Sequence, residues 1–498
     1  MTDTTDVLIV GAGPTGLTLA CDLARRGVPF RLVDAADGGF PGSRAKGIQP
    51  RTLEVFDDLG VLDEIVDHSR TYPLLGIHLG PVTLPWRMVG RHKVTEDVPY
   101  PETRLVPQYD TDACLRRRLA ELGGRVEYGT RLTSLVDHGD GVAATVTGPD
   151  GERTIGARVV VGADGGASAV RVQADIPFVG QTDESDKMIV ADVLVDGLAR
   201  NRWHIWPRNG GRFMGLCPLP GEKFQLMLRL KPGETPDRDP AAISRLVHEA
   251  SGRAGLRVRE VFWSSVFRPN VRLVERYRVG NVFLAGDAAH VHTPAGGQGL
   301  NTGVQDAYNL GWKLAQVLAG APEPLLGSYQ AERRPVAARV LGLSSDLYQK
   351  IDGRPLAAAT RGDEERQLKL NYRDGPLTDQ HHRGDGTVQA GDRAPNAKYR
   401  DTNGHTGTLF DRFRGPHFTL LAIGHTATDP PRWPTTGAKL HVVKIPPGAA
   451  PSLTKIYGLT GPAQILVRPD GYIAHIATDN PATALARSAQ TLAPPTIG

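Results

Sequence analysis

Gly286-Asp-Ala-Ala-His-Val-His-Thr-Pro-Ala-Gly-Gly-Gln-Gly-Leu-Asn-Thr-Gly-Val-Gln-Asp-Ala-Tyr-Asn-Leu-Gly-Trp-Lys313 follows a short apolar run, Asn281-Val-Phe-Leu-Ala285, and leads into a glycine-rich helix start. An apolar run of that length reads as a buried strand of a parallel sheet. Asp287 stands at its carboxyl end, where open α/β sheets place ligand contacts, and a carboxylate there accepts hydrogen bonds from sugar or ribityl hydroxyls. Gly296, Gly297 and Gly299 leave the backbone bare enough to touch a flat ring. A helix starting near Gly299 aims free N–H groups and its positive dipole end forward, and the negatively charged pyrimidine end of a reduced flavin fits that position. Val304, Ala307, Gly311, Leu314, Ala315 and Leu318 fall at helical spacing and predict one packed face.

The N-terminus supplies the other half of such a site. Asp6-Val-Leu-Ile-Val10 reads as a strand, Gly11-Ala-Gly-Pro-Thr-Gly16 follows at once, and Leu17 to Arg26 continues as a helix. Gly11 permits the tight turn, Gly13 lets backbone approach a pyrophosphate, and Gly16 allows close packing of helix on strand. A second strand, Pro29 to Val33, ends in Asp34, about 20 residues on, the offset of a carboxylate that grips adenosine ribose hydroxyls. Alone the fingerprint suits NAD or FAD; Gly286-Asp287 decides for FAD. Val159-Val-Val-Gly-Ala-Asp-Gly-Gly-Ala-Ser-Ala-Val-Arg171 is another strand running into Gly and Asp, with Ser168 placed to cap a short helix. Arg44 and Lys46 lie just before a helix predicted over Thr52 to Leu59, where cations can neutralise a pyrophosphate.

With these motifs in this order the chain resembles the class A flavoprotein aromatic monooxygenases, the group of para-hydroxybenzoate hydroxylase and phenol hydroxylase. It is most similar to the bacterial branch that oxygenates polyketides, which includes aklavinone and angucycline hydroxylases and rifampicin monooxygenase. The resemblance implies an α/β fold class: a Rossmann-like FAD-binding domain with an inserted, mostly antiparallel β-sheet substrate domain and a thioredoxin-like C-terminal domain. By resemblance, Gly11, Gly13, Gly16 and Asp34 hold the adenosine and pyrophosphate, and Arg44 the phosphates or ribityl chain. Gln108 contacts the flavin, Asp164 serves both FAD and the nicotinamide nucleotide, and Gly286 and Asp287 hold the ribityl hydroxyls. Pro294 stands beside the reactive flavin edge. Gly297, Gly299, Leu300 and Asn301 belong to the loop facing the pyrimidine, with Pro294, Gly299 and Leu300 nearest the chemistry. Asp34 departs from the usual glutamate; being one methylene shorter, it implies a small geometric shift.

The motif positions also imply the domain order: 1–175 and 272–380 for the FAD-binding domain, 176–271 for the substrate sheet, and 391–498 for the C-terminal domain. In the insertion, 188–195, 202–206, 212–217 and 224–230 read as strands separated by Gly and Pro turns. Trp203, Trp206, Phe213, Met214 and Met227 are its candidate substrate walls, each equally readable as core. Trp203-His-Ile-Trp-Pro207 lacks the spacing of the halogenase Trp-x-Trp-x-Ile-Pro motif. The C-terminal segment carries no cysteine, so thiol redox work is excluded there.

The 498 residues hold a formal net charge of +4 with no charged blocks, which argues against nucleic-acid binding. Cys21, Cys114 and Cys217 show no Cys-x-x-Cys and read as buried small hydrophobes in a reducing cytoplasm. His290 and His292 lack a third ligand nearby, so no metal is expected, and no stretch approaches the ~20 apolar residues of a membrane span. The resemblance implies FAD as resident cofactor, NADPH or NADH as transient reductant, and O2, which adds at the flavin C4a position before transfer to a small aromatic substrate. The protein is expected to be a monomer or homodimer. Baeyer-Villiger insertion beside a ketone, or mere binding of aromatic ligands by a non-catalytic flavoprotein, stays open on sequence; the complete Pro294 to Asn301 loop argues against the second.

Overall fold

Short apolar strands flanked by glycine turns form the centre of an eight-stranded sheet in the computed structural model, which describes residues 3–209, 212–235, 237–293, 297–353, 362–384, 386–424 and 433–495. Its parallel core runs Val282–Leu284, Gly151–Gly162, Asp3–Val10, Phe30–Val33 and Val126–Glu127. Residues 7–10, 32–33, 159–162 and 282–284 are buried on both faces, as helix-covered parallel strands must be. Val10 lies level with Gly162 and Val33, and Gly162 with Leu284. Gly11, Asp34, Asp164 and Gly286, motifs up to hundreds of residues apart, therefore emerge along one sheet edge.

Helix Pro14–Arg25 packs on this sheet and against helix Gly299–Leu318. The expectation of one packed face for the second helix is corrected. Residues from Asn301 to Leu314 are buried all round, including Gln305, Asp306, Asn309 and Lys313. Helix Pro324–Gly353 and the C-terminal segment cover the side that a lone amphipathic helix would leave wet. Gln305, Asp306, Asn309 and Lys313 each meet a partner, as burial demands.

The inserted strands form a seven-stranded sheet, and its composition corrects the boundary at 176–271. Strands Leu74–Leu79 and Val82–Trp86 complete it, the first lying parallel to Arg202–Asn209. Helix Pro240–Ser251, capped by Asp239 and ended by left-handed Gly252, covers one face; the Asp-Pro start and Gly stop were its unread sequence signals. Phe178–Thr182, Asn270–Val274 and His290–Val291 make a three-stranded bridge back to the first sheet.

At the C-terminus Leu440–Ile445, Phe418–Ile423, Ala463–Val467 and Ile473–Ala477 form a four-stranded sheet in that spatial order, the first pair parallel and the rest antiparallel. It is fastened to the helices by a fully buried ion cluster. Glu332 accepts from Lys313 (2.7 Å) and Arg468 (2.6 Å), and Arg468 also pairs with Asp470. Arg393 donates to Glu54 (2.6 Å) across the same boundary. All three cysteines are free and buried.

Candidate active site

The glycines of the strand ends divide into crowded and open ones, and this division outlines a cradle. Gly11 takes φ +102°, and a Cβ there would stand 2.4 Å from the Ala163 carbonyl oxygen; one on Gly16 would stand 1.9 Å from that of Gly11. Gly13, Gly165 and Gly297 instead have nothing within 4 Å of a Cβ position. The crowded pair packs the turn, and the open three front free space where bare backbone can meet a dinucleotide. The residues present thus fit FAD.

Asp34 sits beside the first of these turns, its carboxylate held by the N–H groups of Ala12 (2.6 Å) and Ala36 (2.8 Å). Helix Gln108–Glu121 presents Gln108, Asp112 and Arg116 at intervals of four along one face. Asp112 and Tyr128 lie close enough to Asp34 to interact electrostatically, and Arg116 interacts with both of them. Burial pushes the Asp112 carboxyl up to about 7, against the pull of Gln108 and Arg116. Arg116 was missed in the sequence, although its spacing from Gln108 was the available signal. Gln108 also clamps the opposite segment, its N–H donating to the Ala45 carbonyl at 3.0 Å.

That opposite segment, 40–46, is strapped onto the second sheet. Gly42 lies against the Trp263 ring, and Ser43 Oγ donates to buried Asp192. Gln225 Nε2 donates to Ser43 Oγ at 3.1 Å, while Lys46 Nζ donates to Gln225 and lies 4.6 Å from the Trp203 ring centroid. Arg44 is exposed, its guanidinium over the rings of Phe40 (5.0 Å) and Trp263 (5.9 Å). The cation assigned to the cofactor is thus carried on a strap whose footing is the second sheet.

Asp164 follows strand Gly151–Gly162 by two residues. Its carboxylate accepts from Ser168 Oγ and from the N–H groups of Ala169 (2.7 Å) and Val170 (3.2 Å), so it caps its own short helix Ala169–Gln173. Arg171 from that helix donates to the carbonyls of Gly166 (2.8 Å) and Ala288 (3.0 Å), tying this turn to the Gly286 turn. Asp164 shapes the loop, and Gly165 beside it is open.

Asp287 is exposed beside the start of helix Gly299–Leu318, with its Oδ1 3.9 Å from a Cβ built on Gly299. Gly299 and Leu300 form the first helical turn there. Asn301 points the other way: it accepts from Gln49 N–H (2.8 Å) and donates to the Gly47 carbonyl (2.8 Å), fixing the helix start rather than facing a flavin with its side chain. Pro294, together with Gly296, lies outside the described residues. Behind the loop, buried Asp306 accepts from Arg333 (2.7 Å) and from Gly286 N–H (3.1 Å), and its carboxylate lies 2.7 Å from His290 Nε2. Burial works against this carboxylate's charge, but Arg333 and His290 hold it below the usual range. His290 accordingly positions the Gly286 turn. Among the described residues no group of three His, Cys, Asp or Glu side chains could hold a metal, and no helix is long and apolar enough to cross a membrane.

Strand parity sorts the five candidate substrate walls. Trp203, Phe213 and Met227 share the sheet face toward the strap and are half-buried. Trp206 and Met214 occupy the opposite face, packed with Ile243 and Val247 of helix Pro240–Ser251. Their assignment to substrate is corrected, because alternate residues of a strand point to opposite faces.

Residues 4–344 match the FAD binding domain family and 387–495 the aromatic-ring hydroxylase C-terminal family. The chain belongs to the FAD-dependent aromatic-ring monooxygenases. The monooxygenase is 42% identical over 475 residues to a flavin-dependent monooxygenase of Mycobacteroides abscessus, covering 94% of this chain and 96% of that one. It is 33% identical over 501 residues to the 12-dehydrotetracycline 5-monooxygenase/anhydrotetracycline 6-monooxygenase of Streptomyces rimosus, covering 94% of each. Aklavinone-11 hydroxylase, solved with FAD and aklavinone, superposes with a TM-score of 0.81 at 27% identity, covering 99% of both chains. The monooxygenase is therefore an enzyme and a flavoprotein, which removes the non-catalytic alternative.

Replacing Asp287 by alanine is expected to weaken FAD binding about ten- to a hundredfold, the loss of hydrogen bonds to a charged acceptor. Flavin absorbance per protein after purification checks this, and an unchanged yellow colour would contradict the assignment.

Proposed function

We propose that this monooxygenase takes electrons from NADPH or NADH and oxygen from O2 to hydroxylate a phenolic or polycyclic, polyketide-like aromatic compound. The observation that carries the reading is the strap 40–46, which joins the cofactor cradle to the face bearing Trp203, Phe213 and Met227. FAD, when bound, supplies the oxygen activation. Gly13 and Asp34 would hold its adenosine half, and Arg44, Gln108, Asp287 and the first turn at Gly299 its remainder. The chain's own task is to orient a flat ring against that edge and exclude water.

The half-buried aromatic and thioether side chains suit a flat apolar substrate, and the cation over Trp203 suits an ionised ring oxygen. Relatives acting on anhydrotetracycline and aklavinone support a polycyclic substrate class. Baeyer-Villiger insertion is not favoured by these relatives. In this reading the second sheet is the substrate unit. The C-terminal sheet is a thioredoxin-like domain, a view its strand order supports, with a structural role.

The test is NAD(P)H oxidation by the purified holoenzyme in air with a panel of polycyclic phenols, measuring product and hydrogen peroxide together. Ligand-stimulated oxidation with oxygenated product and little peroxide is expected; no reduction by either nicotinamide with any ligand would overturn it. Trp203→Ala is expected to raise KM about tenfold with FAD content unchanged, since one aromatic contact is worth about 1.4 kcal/mol. Met214→Leu, a volume-conserving change on the opposite face, should leave KM unaltered; equal effects on KM would count against the parity assignment.

A further inference from the structure

On the helix-covered face of the second sheet, remote from the strap, lies a pocket of ≈ 320 Å³ whose lining includes His78, Thr83, Asn201, Arg202, His204 and Arg253 and contains no carboxylate. Among the described residues neither Arg202 nor Arg253 is in an ion pair; Arg202 Nε donates to Asn201 (3.2 Å) and Arg253 to His78.

The histidines do not offset this charge, and their hydrogen bonds show why. A guanidinium only donates, so His78 Nδ1 accepts from Arg253 (3.0 Å), with Thr83 Oγ1 at 2.9 Å from the same nitrogen. His78 Nε2 must then carry the proton and donate to His204 Nδ1 (2.8 Å), which leaves His204 Nε2 to donate to the Ala199 carbonyl (2.8 Å). Both rings are neutral and every ring nitrogen is used. Burial, Arg253, His204 and Arg202 together lower His78 to about 4. The rings, stacked with each other and with Trp206, form a rigid floor beneath two guanidinium groups.

We propose that this pocket binds an oxyanion, the carboxylate or phosphate group of a small molecule, at a site separate from the FAD and substrate sites. Two cations held together without a counter-charge are what planar, forked recognition of such a group requires. The volume exceeds that of a bare ion and matches the lower range of small-molecule sites. Arg202 neighbours Trp203 on one strand, so this pocket and the substrate face share a structural element.

Titration calorimetry of the holoenzyme with inorganic phosphate and, separately, citrate, at ionic strength matched with sodium chloride, tests the proposal. Holoenzyme is used because bound FAD blocks the pyrophosphate cradle. Saturable binding of one ion per chain is expected, phosphate or citrate being tighter according to the natural group. Arg202→Gln should weaken it at least about tenfold, with flavin absorbance unchanged. Arg253→Lys, which keeps the charge but loses the planar fork, should also weaken binding, by less than Arg202→Gln does. No saturable binding of either probe beyond the chloride control, or undiminished binding by Arg202→Gln, would overturn the site.

Discussion

Gly13→Ala is expected to give a protein that melts, in its apo form, with wild-type stability yet binds FAD about a hundredfold more weakly. The reason is local. Gly13 has φ −76° and ψ −176°, a conformation open to alanine, and an added Cβ meets no protein atom within 4 Å. What the methyl would occupy is the space where backbone must approach the pyrophosphate. Gly16→Ala makes the contrast. Its Cβ would stand 1.9 Å from the Gly11 carbonyl oxygen, so helix Pro14–Arg25 must shift off the turn. That variant is expected to lose about 1–3 kcal/mol of apoprotein stability as well as the cofactor. FAD titration followed by fluorescence, with melting of each apoprotein, separates the two. Full flavin content in purified Gly13→Ala would show that the cradle is placed wrongly.

Glu332→Gln should destabilise the fold by about 3–5 kcal/mol, because it leaves Lys313 and Arg468 buried with only Asp470 to balance them. Lys313, Glu332 and Arg468 have no exposed side-chain surface, so water cannot take over the lost partner. Urea unfolding checks the value; a loss below about 1 kcal/mol would mean the cluster is not what fastens the C-terminal sheet. Burial alone would raise the Glu332 carboxyl, but Arg468 and Lys313 bring it down to about 2. Since that is below the ordinary value of about 4.3, the pair's stabilisation is complete above pH ~4.3 and lost as pH falls toward 2. Wild type should therefore show a steeper loss of stability than Glu332→Gln on acidification through that window.

Several local readings needed no tertiary information. The turn at Gly11 and the cap at Ser168 each depend on residues within a few positions of one another. Strands read over 188–195, 202–206, 212–217 and 224–230 were found as Met188–Asp196, Arg202–Asn209, Arg212–Pro218 and Phe224–Arg229. Asp164 shows an equally local tie: the Ser168 that caps the helix also binds the aspartate into that cap.

By itself the amino-acid sequence determined the dinucleotide and flavin motifs, their order and hence the family, because glycine spacing and strand-end acids act through neighbouring backbone. Only the tertiary structure decided which of Trp203, Trp206, Phe213, Met214 and Met227 face the cradle, since strand parity acquires a direction only when Helix Pro240–Ser251 covers one face. It alone decided that Arg44 rides on a strap footed on Asp192 and Gln225, and that the polar side of helix Gly299–Leu318 is core. Those outcomes rest on pairs such as Glu54 with Arg393, 339 residues apart, whose charges meet only after the sheets are in place.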